Sequence, residues 1–219
     1  MTAIAFYLDG QAVGAEEAGT VLELARGRGR DIPTLCHQPT VEPVGACRLC
    51  LVEIDGLPRP QPACTTRVRA GMVIHTDTAQ LRALRRMTLE LLLAERAHPC
   101  AVCVANGACT LQRLAAEHGV DHLRFTPPAE PWPLDASHAR FALDHARCVM
   151  CTRCVRVCRE VAESGGLQVI GRGAAARLSV DFDQPWGEAT RCTECGRCVA
   201  ACPTGALFEK SYRRAANDP

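Results

Sequence analysis

The feature that most constrains this chain is a cysteine frame that occurs twice, "CVMCTRCVRVC" at 148–158 and "CTECGRCVAAC" at 192–202. The copies share C-x-x-C-x-R-C-V-x-x-C, agreeing at six of eleven positions, so a duplicated unit is expected. The C-x2-C-x2-C-x3-C spacing has a physical meaning. Three thiolates two residues apart wrap one cubane, and the chain has left it before the fourth cysteine arrives, so that cysteine serves the other cluster. Cys148, Cys151, Cys154 and Cys202 form one expected [4Fe-4S] ligand set, and Cys158, Cys192, Cys195 and Cys198 a second. Pro203 follows Cys202 as this spacing prescribes, whereas Arg159 stands where the first copy would carry proline. Paired cysteines would also suit zinc ribbons, but runs of four ligands at these spacings weigh against zinc.

The chain has 15 cysteines in 219 residues, and the seven outside the repeat fall into two groups. Cys36, Cys47, Cys50 and Cys64 have the spacing C-x10-C-x2-C-x13-C. A plant-type [2Fe-2S] ferredoxin has a shorter first loop but the same C-x2-C core and a later fourth ligand. Cys64, in "PACTTRV", also suits the role of a small buried hydrophobe. The second group is "AHPCAVCVANGAC", with Cys100, Cys103 and Cys109. Three thiolates leave a four-ligand site one short, and His98 is the nearest residue able to complete it. A neutral imidazole can ligate iron, and histidine replaces cysteine in some iron–sulfur centres. A structural zinc on the same four residues is the competitor. His75, His118, His122 and His138 lie away from the cysteine runs and read as surface or packed residues. His37 and His145 adjoin groups that already hold four thiols.

Local pattern places these groups on elements. "IAFYLDGQAV" has apolar runs around Asp9-Gly10, a hairpin signal. Thr20 caps a short helix over Val21 to Ala25, and "CLVEIDG" and "MVIHT" read as strands. From Thr78 the pattern becomes helical, with Leu81, Leu84, Met87, Leu91 and Leu92 on one face. A second helix is expected from Thr110 to Glu117, stopped by Gly119. "FTPPAEPWPLD" holds four of the 14 prolines and reads as an extended connector. "LQVIGRGAAARLSVDF" reads as two strands around a glycine-containing turn, and "SYRRAANDP" as a fraying tail.

With 25 basic and 24 acidic residues, the net charge of +1 gives no reason to expect a nucleic-acid partner. No signal peptide or membrane-spanning stretch is expected, which points to a cytoplasmic protein. A reducing compartment disfavours disulfides and favours metal or redox roles for dense cysteine. No G-x-G-x-x-G follows a strand, and there is no P-loop or G-x-S-x-G. The chain has no expected catalytic residue and no substrate-converting site of its own. It is expected to move electrons.

The order of a [2Fe-2S] domain, a one-histidine [4Fe-4S] module and a two-cluster module resembles the N-terminal part of the large iron–sulfur subunit of complex I. It resembles more strongly the small diaphorase subunit (HoxU type) of bidirectional NAD-reducing nickel–iron hydrogenases. The H-x-C-x2-C-x5-C run of His98, Cys100, Cys103 and Cys109 matches the hydrogenase form, whereas complex I subunits usually show H-x3-C-x2-C-x5-C. "RCVMCTRCVRVC", "VIGRG", "DQPWG" and "CPTGALFEK" carry the same resemblance. It implies an α+β chain. Residues 1–77 would form a β-grasp [2Fe-2S] ferredoxin-like domain, and 78–119 a small helical module with one histidine and three cysteine ligands. A connector would occupy 120–140, a two-[4Fe-4S] ferredoxin-like domain 141–210, and a tail 211–219. The cofactors implied are one [2Fe-2S] and three [4Fe-4S] clusters, with FMN and NAD on a partner diaphorase subunit and nickel–iron hydrogenase subunits as the other partners. The equivalent subunit of an NAD-dependent formate dehydrogenase or a complex-I-like dehydrogenase is the alternative. A zinc-binding interaction protein is the alternative from another class.

Overall fold

The Asp9-Gly10 turn has φ of 49° and 80°, the positive pair that a tight hairpin with native strand twist requires. It joins strand β1 (Ile4–Leu8) to antiparallel β2 (Gln11–Ala15). Helix α1 (Val21–Arg26) starts on a full capping box: Thr20 accepts from the Glu23 amide, and the Glu23 carboxylate accepts from the Thr20 amide. Strands β3 (Leu51–Ile54), β4 (Gln61–Pro62) and β5 (Val73–His75) complete a five-stranded sheet ordered β2-β1-β5-β3-β4. Only β1 and β5 run parallel among its pairs. Val21, Leu22 and Ala25 of the helix share one buried cluster with Phe6, Leu8, Val52, Ile54 and Ile74 of the sheet. A mixed sheet wrapped on a short helix is the β-grasp arrangement.

This computed structural model describes residues 4–15, 19–126 and 132–210. The expected tail at 211–219 and the central part of the proline-rich stretch, 127–131, lie outside the described residues. The chain divides into two compact units, one of Met1–Pro39, Pro43–Leu91 and Leu114–His122, the other of Thr40–Glu42, Leu92–Arg113 and Leu123–Pro219. Residues 78–119, expected to form a module together, are shared between the two units.

Helix α2 (Ala79–Ala94) follows β5. Its buried line differs from the expected stripe: Leu81, Arg85 and Leu89 are buried, whereas Met87 and Leu91 are exposed. Arg85 explains the change. Its guanidinium donates to the carbonyls of Leu49, Leu51 and Thr76 at 3.2, 3.1 and 2.7 Å, so a satisfied cation occupies a core-facing position. Helix α3 (Thr110–Glu117) matches the expected span, and Gly119, at φ 66°, follows it.

The second unit carries strands β6 (Leu134–Asp135) and β7 (Phe141–Asp144), helix α4 (Arg153–Glu160), strands β8 (Leu167–Ile170) and β9 (Arg177–Val180), helix α5 (Arg197–Ala201) and strand β10 (Leu207–Glu209). The sheet order is β10-β7-β6, with β8 and β9 as a separate hairpin. β6 corrects part of the connector: Leu134 and Asp135 pair antiparallel with Asp144 and Leu143. Phe141, Leu143, Leu167, Leu178, Val180, Trp186 and Leu207 form the buried core. His138, a packed residue as expected, stacks on Phe141 at 5.0 Å and accepts the amides of Arg140 and Phe141.

Candidate metal centres

In the first unit, the loop from Cys36 to Cys50 turns back on itself through left-handed Gly45 and Arg48. Cys50 immediately precedes β3, and Cys64 follows β4. The Ala63 amide donates to the Cys50 carbonyl at 2.9 Å, which draws these two ligand positions together. Cys36, Cys50 and Cys64 are buried, and Cys47 is half-buried. Side-chain hydrogen bonds connect Cys36 to Cys47 and Cys64, and Cys50 to Cys64, so the four sulfurs form one group. Amides enter the same nest: Leu35 donates to the Cys47 sulfur and Cys47 to the Cys36 sulfur, both at 3.4 Å. Bonds from Cys47 and Cys64 pull the Cys36 thiol down to about 2, while Cys47, the donor in its bond to Cys36, is pushed up.

The second group lies in the second unit. His98, Cys100, Cys103 and Cys109 line one pocket with Arg147, Thr204 and Gly205. The His98 ring is hydrogen-bonded to the backbone of Leu92, while its Nε2 is buried with no hydrogen-bond partner. That arrangement fixes one ring nitrogen and leaves the other for a metal, as ligating histidines require. Burial pushes the imidazole pKa down, so it is neutral. Cys100 opens a single 3-10 turn, Cys100–Val102, and Cys103 closes it. The amides of Gln112 and Leu111 in the first turn of α3 point at the Cys109 sulfur, and the Ala105 amide donates to Cys103 at 3.4 Å. A Cβ on Gly205 would stand 2.7 Å from the Cys103 sulfur, so only glycine lets the chain approach the site this closely.

The remaining eight cysteines also lie in the second unit. Cys154 lies within electrostatic reach of Cys151, Cys202, Cys148 and, most weakly, Cys198, and Cys198 within reach of Cys158, Cys192 and Cys195. The last four line one pocket. The duplication is visible in the backbone too. Met150 and Thr152 in the first copy, and Glu194 and Gly196 in the second, all take positive φ between 48° and 70°. These paired left-handed residues curl each loop around its sulfurs and lead into α4 and α5. Burial pushes the Cys148 thiol up to about 11 and the Cys151 and Cys198 thiols up to about 12. As thiolates they therefore need a positive partner, which iron supplies.

Sequence reasoning missed the side chains that touch these sulfurs. The Trp186 indole donates to the Cys192 sulfur at 3.4 Å, and the Ser164 hydroxyl lies 3.5 Å from the Cys158 sulfur. Nothing in their spacing announces such contacts. Among the described residues no three His, Cys, Asp or Glu side chains form a group that could hold a lone metal ion. Two of the four groups line pockets instead. The orphaned His98 Nε2, the close approach at Gly205 and the sulfur-rich donor sets fit iron–sulfur clusters.

Comparison with known proteins gives the same order. Residues 1–79 match the 2Fe-2S iron-sulfur cluster binding domain, and 85–124 the NADH-ubiquinone oxidoreductase-G iron-sulfur binding region. Residues 140–186 match the ferredoxin-like domain of NADH-quinone oxidoreductase subunit 3, and 188–208 a 4Fe-4S binding domain. A chain from the crystal structure of NAD+-reducing [NiFe]-hydrogenase in the H2-reduced state superimposes with a TM-score of 0.89 at 36% identity. The match covers 98% of this chain and 90% of that one. The chain belongs to this family of iron–sulfur subunits.

The iron–sulfur subunit is also 36% identical over 210 residues to an NADH-quinone oxidoreductase subunit of Rhizobium meliloti, covering 94% of this chain and 24% of the relative. It is 34% identical over 217 residues to NADP-reducing hydrogenase subunit HndD of Solidesulfovibrio fructosivorans, covering 97% and 37%. The NADPH-Fe(3+) oxidoreductase subunit alpha of Geobacter sulfurreducens is 35% identical over 216 residues, at 96% and 24% coverage. The iron–sulfur subunit thus spans about a quarter to a third of the length of these curated relatives. Among its described residues no helix is long and apolar enough to cross a membrane. It is an iron–sulfur electron-transfer subunit related to chains of NAD+-reducing hydrogenase and NADH-quinone oxidoreductase, with a 2Fe-2S domain and several 4Fe-4S binding regions.

Proposed function

We propose that this chain carries electrons between an FMN- and NAD(H)-binding diaphorase subunit and a nickel–iron hydrogenase module, in a cytoplasmic complex that interconverts H2 + NAD+ with NADH and a proton. The observation that carries this reading is the His98 site, whose H-x-C spacing and unpartnered Nε2 fit the hydrogenase form of the motif. Cys36, Cys47, Cys50 and Cys64 would hold one [2Fe-2S] cluster. Three [4Fe-4S] clusters would be held by His98 with Cys100, Cys103 and Cys109, by Cys148, Cys151, Cys154 and Cys202, and by Cys158, Cys192, Cys195 and Cys198. When bound, each cluster takes up and releases single electrons, the form in which a flavin passes on a two-electron hydride. The chain's own residues aim amides and the Trp186 indole at the sulfurs.

The reading is tested by anaerobic purification with co-purifying partners, metal and sulfide analysis, and EPR during graded reduction. One [2Fe-2S] and three [4Fe-4S] signals, with hydrogen-driven NAD+ reduction by the complex, are expected. Stoichiometric zinc without acid-labile sulfide would overturn the cluster assignment. Formate-driven or quinone-linked NAD chemistry in place of hydrogen turnover would move the chain to a formate dehydrogenase or complex-I-like partner. The likeness to the Rhizobium meliloti NADH-quinone oxidoreductase chain supports the latter as the second reading.

A further inference from the structure

Arg96 is 1% exposed, yet among the described residues it has no ion pair with a carboxylate. Its Nη1 donates to the His145 carbonyl at 2.9 Å and its Nη2 to the Ala176 carbonyl at 2.6 Å. Its guanidinium carbon lies 3.7 Å from the centre of the Trp132 ring, and its buried Nε has no partner. Carbonyl dipoles and an aromatic face solvate a cation in part, but a buried charge of this kind needs a counter-charge. The same His145 carbonyl accepts the Cys148 amide at 3.2 Å, so the guanidinium and the first cysteine of the repeat converge on one carbonyl oxygen.

We infer that Arg96 is the buried counter-charge of the cluster ligated by Cys148, Cys151, Cys154 and Cys202, and that it raises that cluster's reduction potential. The inference rests on the cluster reading of those four cysteines. Each electron taken up adds one unit of negative charge within a ligand set whose Cys148, Cys151 and Cys154 are all buried. Burial in a low-dielectric interior penalises that added charge, and a cation fixed nearby offsets the penalty. The duplicated set is placed differently. Cys195 is exposed, Cys192 and Cys198 are half-buried, and the neutral Trp186 indole donates to Cys192. The repeat supplies two like ligand sets, and Arg96 distinguishes the buried one.

The test compares the holo protein with Arg96→Gln and Arg96→Lys by EPR-monitored redox titration, after iron and sulfide analysis. Arg96→Gln should lower the midpoint potential of a [4Fe-4S] centre and leave the [2Fe-2S] centre of the other unit unmoved. Arg96→Lys, which keeps the charge but not the planar fork, should restore most of the shift. Unchanged midpoints in Arg96→Gln, or an equal fall in both variants, would overturn the inference. If Arg96→Gln fails to retain its clusters, retention with near-native midpoints in Arg96→Lys supports it. Cluster loss in both variants would assign Arg96 a purely structural role and overturn it. Absence of labile sulfide in the unsubstituted protein would instead overturn the underlying cluster reading.

Discussion

A neutral imidazole in place of a thiolate removes one negative charge from a cluster's ligand shell, and this sets the expected sign at His98. His98→Cys should lower the midpoint potential of one [4Fe-4S] centre, read by redox titration with the [2Fe-2S] signal as internal reference. An upward shift would show that local hydrogen bonds outweigh ligand charge. Gly205 tests fit rather than charge. The added methyl of Gly205→Ala would stand 2.7 Å from the Cys103 sulfur and 3.3 Å from Ala105 Cβ. Overpacking of this kind costs about 1–3 kcal/mol, so thermal stability should fall and iron at the His98 site should drop. Native iron content with unchanged melting would contradict this. Counting ligands in the sequence singled out His98, because three cysteines left a place open. Gly205 stayed invisible because its partner is about a hundred residues away along the chain.

At the scale of elements, the two copies of the repeat place different residues at one left-handed position. Thr152 stands there at φ 59° and Gly196 at φ 70°. A side chain in this conformation costs roughly 1–2 kcal/mol. Gly196→Ala should therefore lower the denaturation midpoint, while Thr152→Gly should leave it within about 1 kcal/mol of native or raise it. Equal losses in both variants would show that backbone strain is not the deciding factor. The hairpin at Asp9-Gly10, the Thr20 cap and α3 were legible because turn chemistry, capping and periodicity are local. The buried face of α2 was not. Its pattern predicted an apolar stripe, but Arg85 sits between Leu81 and Leu89 because carbonyls from Leu49, Leu51 and Thr76 converge on it. Only the folded loop creates that demand.

For the whole molecule, four proposed clusters within 219 residues leave limited apolar core to each part. Cluster ligation should supply much of the folding free energy, so removing iron by chelation should shift the urea midpoint far below that of the holo protein. Similar midpoints would contradict this. Stability should also fall on mild acidification. Burial lowers the pKa of His118 and His145, so the unfolded chain binds more protons than the folded one once pH falls below the unfolded value of about 6.5. This contribution is fully present above that pH and is lost as pH falls through the lower folded values. Urea midpoints of the holo protein should accordingly drop between about pH 7.5 and about pH 5.5; a flat profile would count against it.

By itself the sequence pointed to four groups of candidate ligands, to a crossed pairing within the repeat and to the order of the parts. Within each run the spacings are two to thirteen residues, over which chain geometry restricts what can meet, and the crossed pairing follows from the duplication of one run. Tertiary structure alone decided what surrounds the ligand segments: the indole of Trp186, the space at Gly205, the guanidinium of Arg85 on the carbonyls either side of Cys50, and the buried charge of Arg96. Those neighbours come from distant segments. Whether a charge or a glycine is tolerated there depends on which dipoles and atoms the fold brings to the same point.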